Sequence, residues 1–245
     1  MKNIKLTIEY DGTNYHGWQI QQNSITVQEV VQNAIKKLLG EEIPVIGCSR
    51  TDVGVHAYGQ TLNFMTHSKI PPEKFSFALN NLLPTDIVVR KSELVPEDFH
   101  ARYNAKGKKY RYLVFNSVQP SALNRNRAWH VKPVLDVERM VEGSKAFLGE
   151  HDFAAFQATG GQVRSTIRTI YSILVNKMPD NIISIEVEGN GFLYNMVRII
   201  AGTLVYVGLG KLRPDEVTEI IESCDRKRAG ITAPAHGLYL FEVLY

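Results

Sequence analysis

Lys2-Asn3-Ile4-Lys5-Leu6-Thr7-Ile8-Glu9-Tyr10, followed after an Asp11-Gly12 break by Thr26-Val27-Gln28-Glu29, sets the character of the chain. The first run alternates Ile4, Leu6, Ile8 and Tyr10 with polar neighbours, and that period of two predicts a half-buried strand. The second run is a capping box, in which Thr26 and Glu29 can satisfy backbone N–H groups that open a helix. Val27, Val30, Val31, Ala34, Ile35, Leu38 and Leu39 then fall on one helical stripe, with Gly40 placed to end it. A strand is thus followed by a helix, but the elements beyond do not keep a strict βαβ alternation.

Residues 43–46 and 58–66 read as strands. Pro71-Pro72 predicts a helix carrying Phe75, Ala78, Leu79 and Leu82, stopped by Pro84. Strands follow at 87–95 and 108–116; in the latter Tyr110, Tyr112 and Val114 share one face and Arg111, Leu113 and Phe115 the other. Asp136 can cap a helix with Val137, Met140, Val141, Phe147 and Leu148 inward, and 167–177 with 181–188 predicts a hairpin around Pro179-Asp180-Asn181. Residues 192–207 predict a buried helix, 214–224 an amphipathic one, and 238–244 a closing strand. The pattern is α+β with a mixed sheet, and a seam between halves falls near residues 100–106.

With 245 residues, 44% hydrophobic and 22% charged, the chain can bury a substantial core as one large or two small domains. Cys48 and Cys224 provide neither a disulfide framework nor zinc-ligand spacing, which points to reduced thiols. The N-terminus lacks the apolar run of a signal peptide, and the stretch around Met196 to Leu209 is too short and too polar to span a bilayer. A cytoplasmic protein is expected.

The net charge of +3 conceals a segregated pattern. Residues 99–135 hold no acid and eight bases, Arg102, Lys106, Lys108, Lys109, Arg111, Arg125, Arg127 and Lys132, with Tyr103, Tyr110, Tyr112, Phe115 and Trp129 among them. A second acid-free stretch carries Arg164, Arg168 and Lys177. Bases neutralise phosphates and rings stack on unpaired nucleobases, so the pattern suits a nucleic-acid partner. The alternative is a solvated face that offsets acidic helices elsewhere.

Ser49-Arg50-Thr51-Asp52-Val53-Gly54-Val55-His56 leaves a short apolar strand and carries the one constellation with chemical promise. A carboxylate two residues from a guanidinium can be held ionised at neutral pH. Taken only as spacing, the plainer reading is a structural Arg–Asp pair in a turn. His56 reads as a packed, hydrogen-bonded histidine. No H-E-x-x-H or Walker A motif is present, and Gly208-x-Gly210 follows a helix rather than a strand, so neither metal nor nucleotide cofactor is expected.

Eight motifs stand in order between residue 10 and residue 240. They are Tyr10-Asp11-Gly12 with Gly17-Trp18-Gln19, Arg50-Thr51-Asp52-x-Gly54-Val55-His56-Ala57, Phe99-His100-Ala101-Arg102, Lys109-Tyr110-Arg111-Tyr112, His151-Asp152-Phe153, Arg168-Thr169-Ile170, Gly191-Phe192-Leu193-x-Asn195-Met196-Val197-Arg198, and Gly237-Leu238-Tyr239-Leu240. Together they resemble the TruA family of tRNA pseudouridine synthases.

The resemblance implies the pseudouridine synthase fold: a mixed, largely antiparallel sheet flanked by helices, in two α/β halves around a central basic cleft. Residues 1–103 would carry the catalytic loop and 104–245 the other site residues. It implies isomerisation of uridine to pseudouridine without a cofactor, at positions 38, 39 and 40 of the anticodon stem-loop. Asp52 would be the catalytic carboxylate, Tyr110 the ring packed on the target uracil, Arg198 the arginine paired with Asp52, and Arg50 the loop arginine that keeps the extruded nucleotide out of the helix. It further implies a homodimer, with Arg102, Lys106, Lys108, Lys109, Arg111, Arg125, Arg127, Arg164 and Arg168 as tRNA contacts. One departure is Ser49, where the family more often has glycine, which leaves room for a diverged paralogue with another RNA target. A non-catalytic RNA-binding protein and a carboxylate-dependent hydrolase are the competing readings.

Overall fold

In the computed structural model, which describes residues 1–161 and 163–245, Ile4, Leu6, Ile8 and Tyr10 are all buried along β1 (Lys2–Tyr10), as their alternation requires. The helix α1 (Val27–Leu39) follows; Thr26 Oγ1 accepts from Glu29 N–H at its start, and Gly40 closes it in the left-handed region at φ 78°. Next come β2 (Ile46–Gly47), β3 (His56–Thr66), α2 (Phe75–Asn80) and β4 (Ile87–Val95). The second half contains β5 (Gly107–Asn116), β6 (Trp129–Val131), α3 (Val137–Ser144), β7 (Gly149–Asp152), β8 (Ile167–Lys177), β9 (Ile182–Gly189), α4 (Met196–Gly208) and α5 (Glu216–Ser223), before β10 (Leu238–Leu244).

The chain forms two units, Met1–Lys106 with Tyr239–Tyr245, and Gly107–Leu238. In the first the strand order is β4-β1-β3-β10, with β2 on β3; β1 runs antiparallel to both neighbours and β10 parallel to β3. Phe64 and Phe75 meet edge to face at 5.6 Å among Ile4, Leu6, Ile35 and Leu79. Each such side chain contributes about 1.5–3 kcal/mol by leaving water. In the second unit β5-β9-β8-β7 are consecutive antiparallel neighbours and β6 adds to β5 in parallel. The helix α4 is buried over most of its length, and α3 packs against it. Both units are mixed, largely antiparallel α+β structures.

Several boundaries differ from the sequence reading. Residues 192–207 do not all coil into a helix: Asn195 takes a left-handed conformation at φ 60°, and α4 starts only at Met196. The prolines at 71–72 open a 3-10 turn before α2, which ends at Asn80 and leaves Leu82 40% exposed. The helix capped by Asp136 stops at Ser144 and tightens into a 3-10 turn, and the strand expected at 43–46 is only Ile46–Gly47. The division between units falls after Lys106, and Tyr239–Tyr245 return to the first unit instead of staying with 104–238. Pairing of β10 with β3 pulls them back, with Lys106 N–H donating to Leu244 O at 2.8 Å and Tyr245 Oη to Ala101 O at 2.7 Å. Among the described residues no helix is long and apolar enough to cross a membrane.

Candidate active site

Asp52 lies in the loop between β2 and β3, half-buried, beside an exposed Arg50 and a buried Thr51. That loop is fastened to the end of β1, to the segment that follows it and to β3. Thr51 Oγ1 shares a hydrogen bond of 2.8 Å with Tyr10 Oη, and Trp18 N–H donates to Thr51 O at 3.1 Å. Val55 N–H donates to Asp52 O at 3.1 Å, closing a turn through Gly54, whose own N–H reaches Tyr15 O at 3.4 Å. Gln60 Nε2 donates to Ser49 O at 2.6 Å from below. Trp18 is 3% exposed and lies 6.4 Å from the Tyr10 ring, nearly parallel to it.

Two glycines make this clamp sterically feasible. Gly17 has φ 80°, and a Cβ there would overlap Thr51 O and come within 3.1 Å of Asp52 C. At Gly12 a Cβ would collide with Val55 O, and its N–H donates to His56 Nδ1 at 2.9 Å. His56 is 2% exposed and stacks on Tyr239 at 4.7 Å, the packed, hydrogen-bonded histidine expected of it. Thus Tyr10-Asp11-Gly12 and Gly17-Trp18, which carry no obvious chemistry in the sequence, are the scaffold of the Asp52 loop.

In the second unit Tyr110 is 7% exposed on β5, its ring edge-on to Phe192 at 5.1 Å. Arg198 stands near the start of α4; its Nε donates to Ala233 O and its Nη1 to Asn195 Oδ1, each at 2.7 Å. The next residue, Pro234, accepts from Tyr112 Oη at 2.8 Å. Burial pushes the Tyr112 phenol well above its ordinary pKa, with the nearby Arg198 charge opposing it. Tyr112 is therefore a neutral strut, and the guanidinium of Arg198 is oriented by two fixed acceptors.

The expected basic contacts divide into two kinds. Arg102, Lys106, Arg125, Arg127 and Arg164 are exposed, whereas Lys108, Lys109, Arg111 and Arg168 are half-buried. Lys109 Nζ lies 2.6 Å from Glu186 Oε2 and Arg111 Nη2 lies 2.7 Å from Glu186 Oε1, across the β5–β9 pair. Arg168 Nη1 donates to Ser165 O at 2.9 Å and Ile167 O at 2.6 Å. A count of charges along the stretch misses Glu186, because the acid that pairs with Lys109 and Arg111 comes from another strand.

Burial pushes the Glu186 carboxyl up, but the bonds from Lys109 and Arg111 outweigh it and hold the group below the usual glutamate range. A depressed carboxylate stabilises the fold above its unfolded pKa and loses that contribution as pH falls through the folded value. Glu186→Gln is therefore expected to lower stability by about 1–2 kcal/mol at neutral pH. The gap to the wild type closes under acid; urea denaturation from pH 7 to pH 3 reads it, and a gap constant with pH would remove the ion pair from the account.

The model of the family described as tRNA pseudouridine synthase matches residues 6–104 and 144–245. Among similar proteins, the tRNA pseudouridine synthase A of Ruminiclostridium cellulolyticum is 66% identical over 245 residues, covering 100% of both chains. That of Acetivibrio thermocellus is 58% identical with the same coverage, and tRNA pseudouridine synthase A 2 of Clostridium perfringens is 54% identical, again over 100% of each. The loop that holds Asp52 and the strand and helix that hold Tyr110 and Arg198 all lie in a chain that belongs to the tRNA pseudouridine synthase family.

Proposed function

We propose that this chain isomerises uridines of the anticodon stem-loop of tRNA, at positions 38, 39 and 40, with Asp52 as the catalytic carboxylate. The observation that carries the reading is the clamp on the Asp52 loop: Tyr10 and Trp18 hold it through Thr51, Gly17 leaves room for it, and the main chain that bears the carboxylate is fixed before substrate arrives. An isomerase acting on tRNA is what the family supplies, and the reaction breaks the bond from uracil N1 to the ribose, rotates the base and joins C5 to the same carbon. No electrons are exchanged with an outside donor, and the proton displaced from C5 leaves to N1 or solvent.

Tyr110 is the platform for the uracil, and Arg198 the partner of Asp52. Arg50, exposed at the loop's edge, helps keep the extruded nucleotide out of its helix. A base in a stem costs a few kcal/mol to unstack, about what one aromatic platform and a filled pocket return. Arg102, Lys106, Lys108, Arg125, Arg127 and Arg164 serve the phosphates, with Lys109, Arg111 and Arg168 shaping the surface from within. Reading several adjacent positions requires recognition of shape and backbone more than of base sequence. The protein acts in the cytoplasm as a homodimer, one tRNA reaching both subunits.

Ser49, 7% exposed, stands beside the catalytic loop where the family more often has glycine, so the set of uridines served is what the experiment must establish. The test is to map pseudouridines in RNA from cells with and without this protein. Loss confined to tRNA positions 38, 39 and 40 is expected; loss in another RNA would replace the target while keeping the chemistry, and no loss would leave a binding protein.

A further inference from the structure

We propose that Tyr103, backed by His100 and flanked by Arg102, is a stacking platform for an unpaired base of the tRNA, a binding element additional to the uracil site. The inference rests on the tRNA reading above. Tyr103 is 77% exposed, yet its ring is not loose: it stacks on His100 with centroids 4.2 Å apart and planes 29° from parallel. Arg102 Cζ lies 5.9 Å from the centroid of the same ring.

The loop beneath is closed on itself. His100 Nδ1 accepts from the N–H groups of Arg102 and Tyr103 at 3.2 and 3.3 Å, which places its own hydrogen on Nε2. Asn104 Oδ1 accepts from His100 N–H at 2.7 Å, and Asn104 N–H donates to His100 O at 3.0 Å. The loop is tied to the sheet by Asn63 Oδ1, which accepts from Ala101 N–H at 2.9 Å, and by Tyr245 Oη, which donates to Ala101 O at 2.7 Å.

Folding gains little from a ring left this far in water. An incoming ring gains much, because the platform is already stacked and oriented, so little side-chain freedom is lost on binding. Charge selects the partner. The platform opens the acid-free stretch 99–135, with exposed Arg102 and Lys106 within three residues of Tyr103. A π face beside the Arg102 cation fits a nucleobase and its adjoining phosphate. The stack tolerates any base, which suits a protein that reads the shape of its RNA.

The experiment measures binding of an unmodified tRNA transcript as a function of salt. Tyr103→Ala is expected to weaken binding about tenfold, the loss typical of one base–aromatic stack. Tyr103→Phe should bind within about twofold of the wild type, and Tyr103→Trp at least as tightly, because each keeps a π face. The salt slope separates stacking from charge: a ring releases no counterions, so Tyr103→Ala leaves the slope unchanged, whereas Arg102→Ala lowers it by about one. The platform is overturned if Tyr103→Ala binds like the wild type, or if the Phe and Trp variants fall with the Ala one. Tritium release by the wild type from tRNA labelled at uridine C5 reports on the isomerase reading separately. A weak Tyr103→Ala beside an inactive wild type would sink that reading alone.

Discussion

Asp52→Asn should bind tRNA within about twofold of the wild type and release tritium from C5-labelled uridine on the order of 10⁴-fold more slowly, or not at all. The two side chains are nearly isosteric, and the loop around position 52 is held by backbone and neighbour contacts that the change leaves alone. Those are the bonds of Thr51 Oγ1 with Tyr10, of Trp18 N–H with Thr51 O, and of Val55 N–H with the main-chain oxygen of residue 52. What disappears is the charge and the basicity. Whether the carboxylate attacks the ribose carbon or removes a ribose proton, an amide can do neither. Because phosphate contacts dominate RNA affinity and an anionic carboxylate is no ligand for a phosphate, binding and turnover should separate. Measuring both on one preparation decides the matter: activity close to that of the wild type would remove Asp52 from the chemistry, and a parallel loss of binding would make it a structural residue.

The same loop shows what a chain can reveal before it folds. The strand at 2–10 was readable because its burial depends only on alternation, and α1 because Thr26, Glu29 and Gly40 act on their own helix. The strand-to-loop exit at Asp52 was equally local. The clamp was not, since Trp18 and Thr51 are joined by a bond between backbone atoms, which every residue possesses and no spacing signals. The same holds for Glu186, whose partners Lys109 and Arg111 sit on another strand and became visible only with the β5–β9 register. The helix α4 starts later than the apolarity at 192–194 suggests, because Asn195, a residue type that tolerates the left-handed region, interrupts it at φ 60°. Tyr110 and Arg198 came from resemblance, not periodicity. Their local supports, Phe192 for the ring and Asn195 with Ala233 for the guanidinium, are contacts within the second unit that no motif spelled out.

If the clamp is what makes Asp52 useful, a methyl group outside the loop should disable it. Gly17→Ala adds one carbon at a residue with φ 80°, where an L side chain costs about 1–2 kcal/mol. The added Cβ overlaps Thr51 O and lies 3.1 Å from Asp52 C, both main-chain atoms that cannot swing aside. The collision is relieved only by moving the loop or by moving Gly17 and Trp18 together, which strains the bond from Trp18 N–H to Thr51 O. A displacement near 1 Å at the reacting group costs about 100-fold in rate. The expected result is a fall in kcat of about 100-fold with a stability loss of about 2–4 kcal/mol. The dissociation constant for tRNA should stay within about twofold, because the bases proposed to meet the phosphates lie outside this loop. Gly40→Ala supplies the control, at a left-handed glycine where a Cβ meets nothing within 4 Å. It carries the backbone strain without the collision, so it should lose stability and keep kcat. Equal losses of kcat in both variants would mean that general destabilisation, and not the position of Asp52, sets the rate.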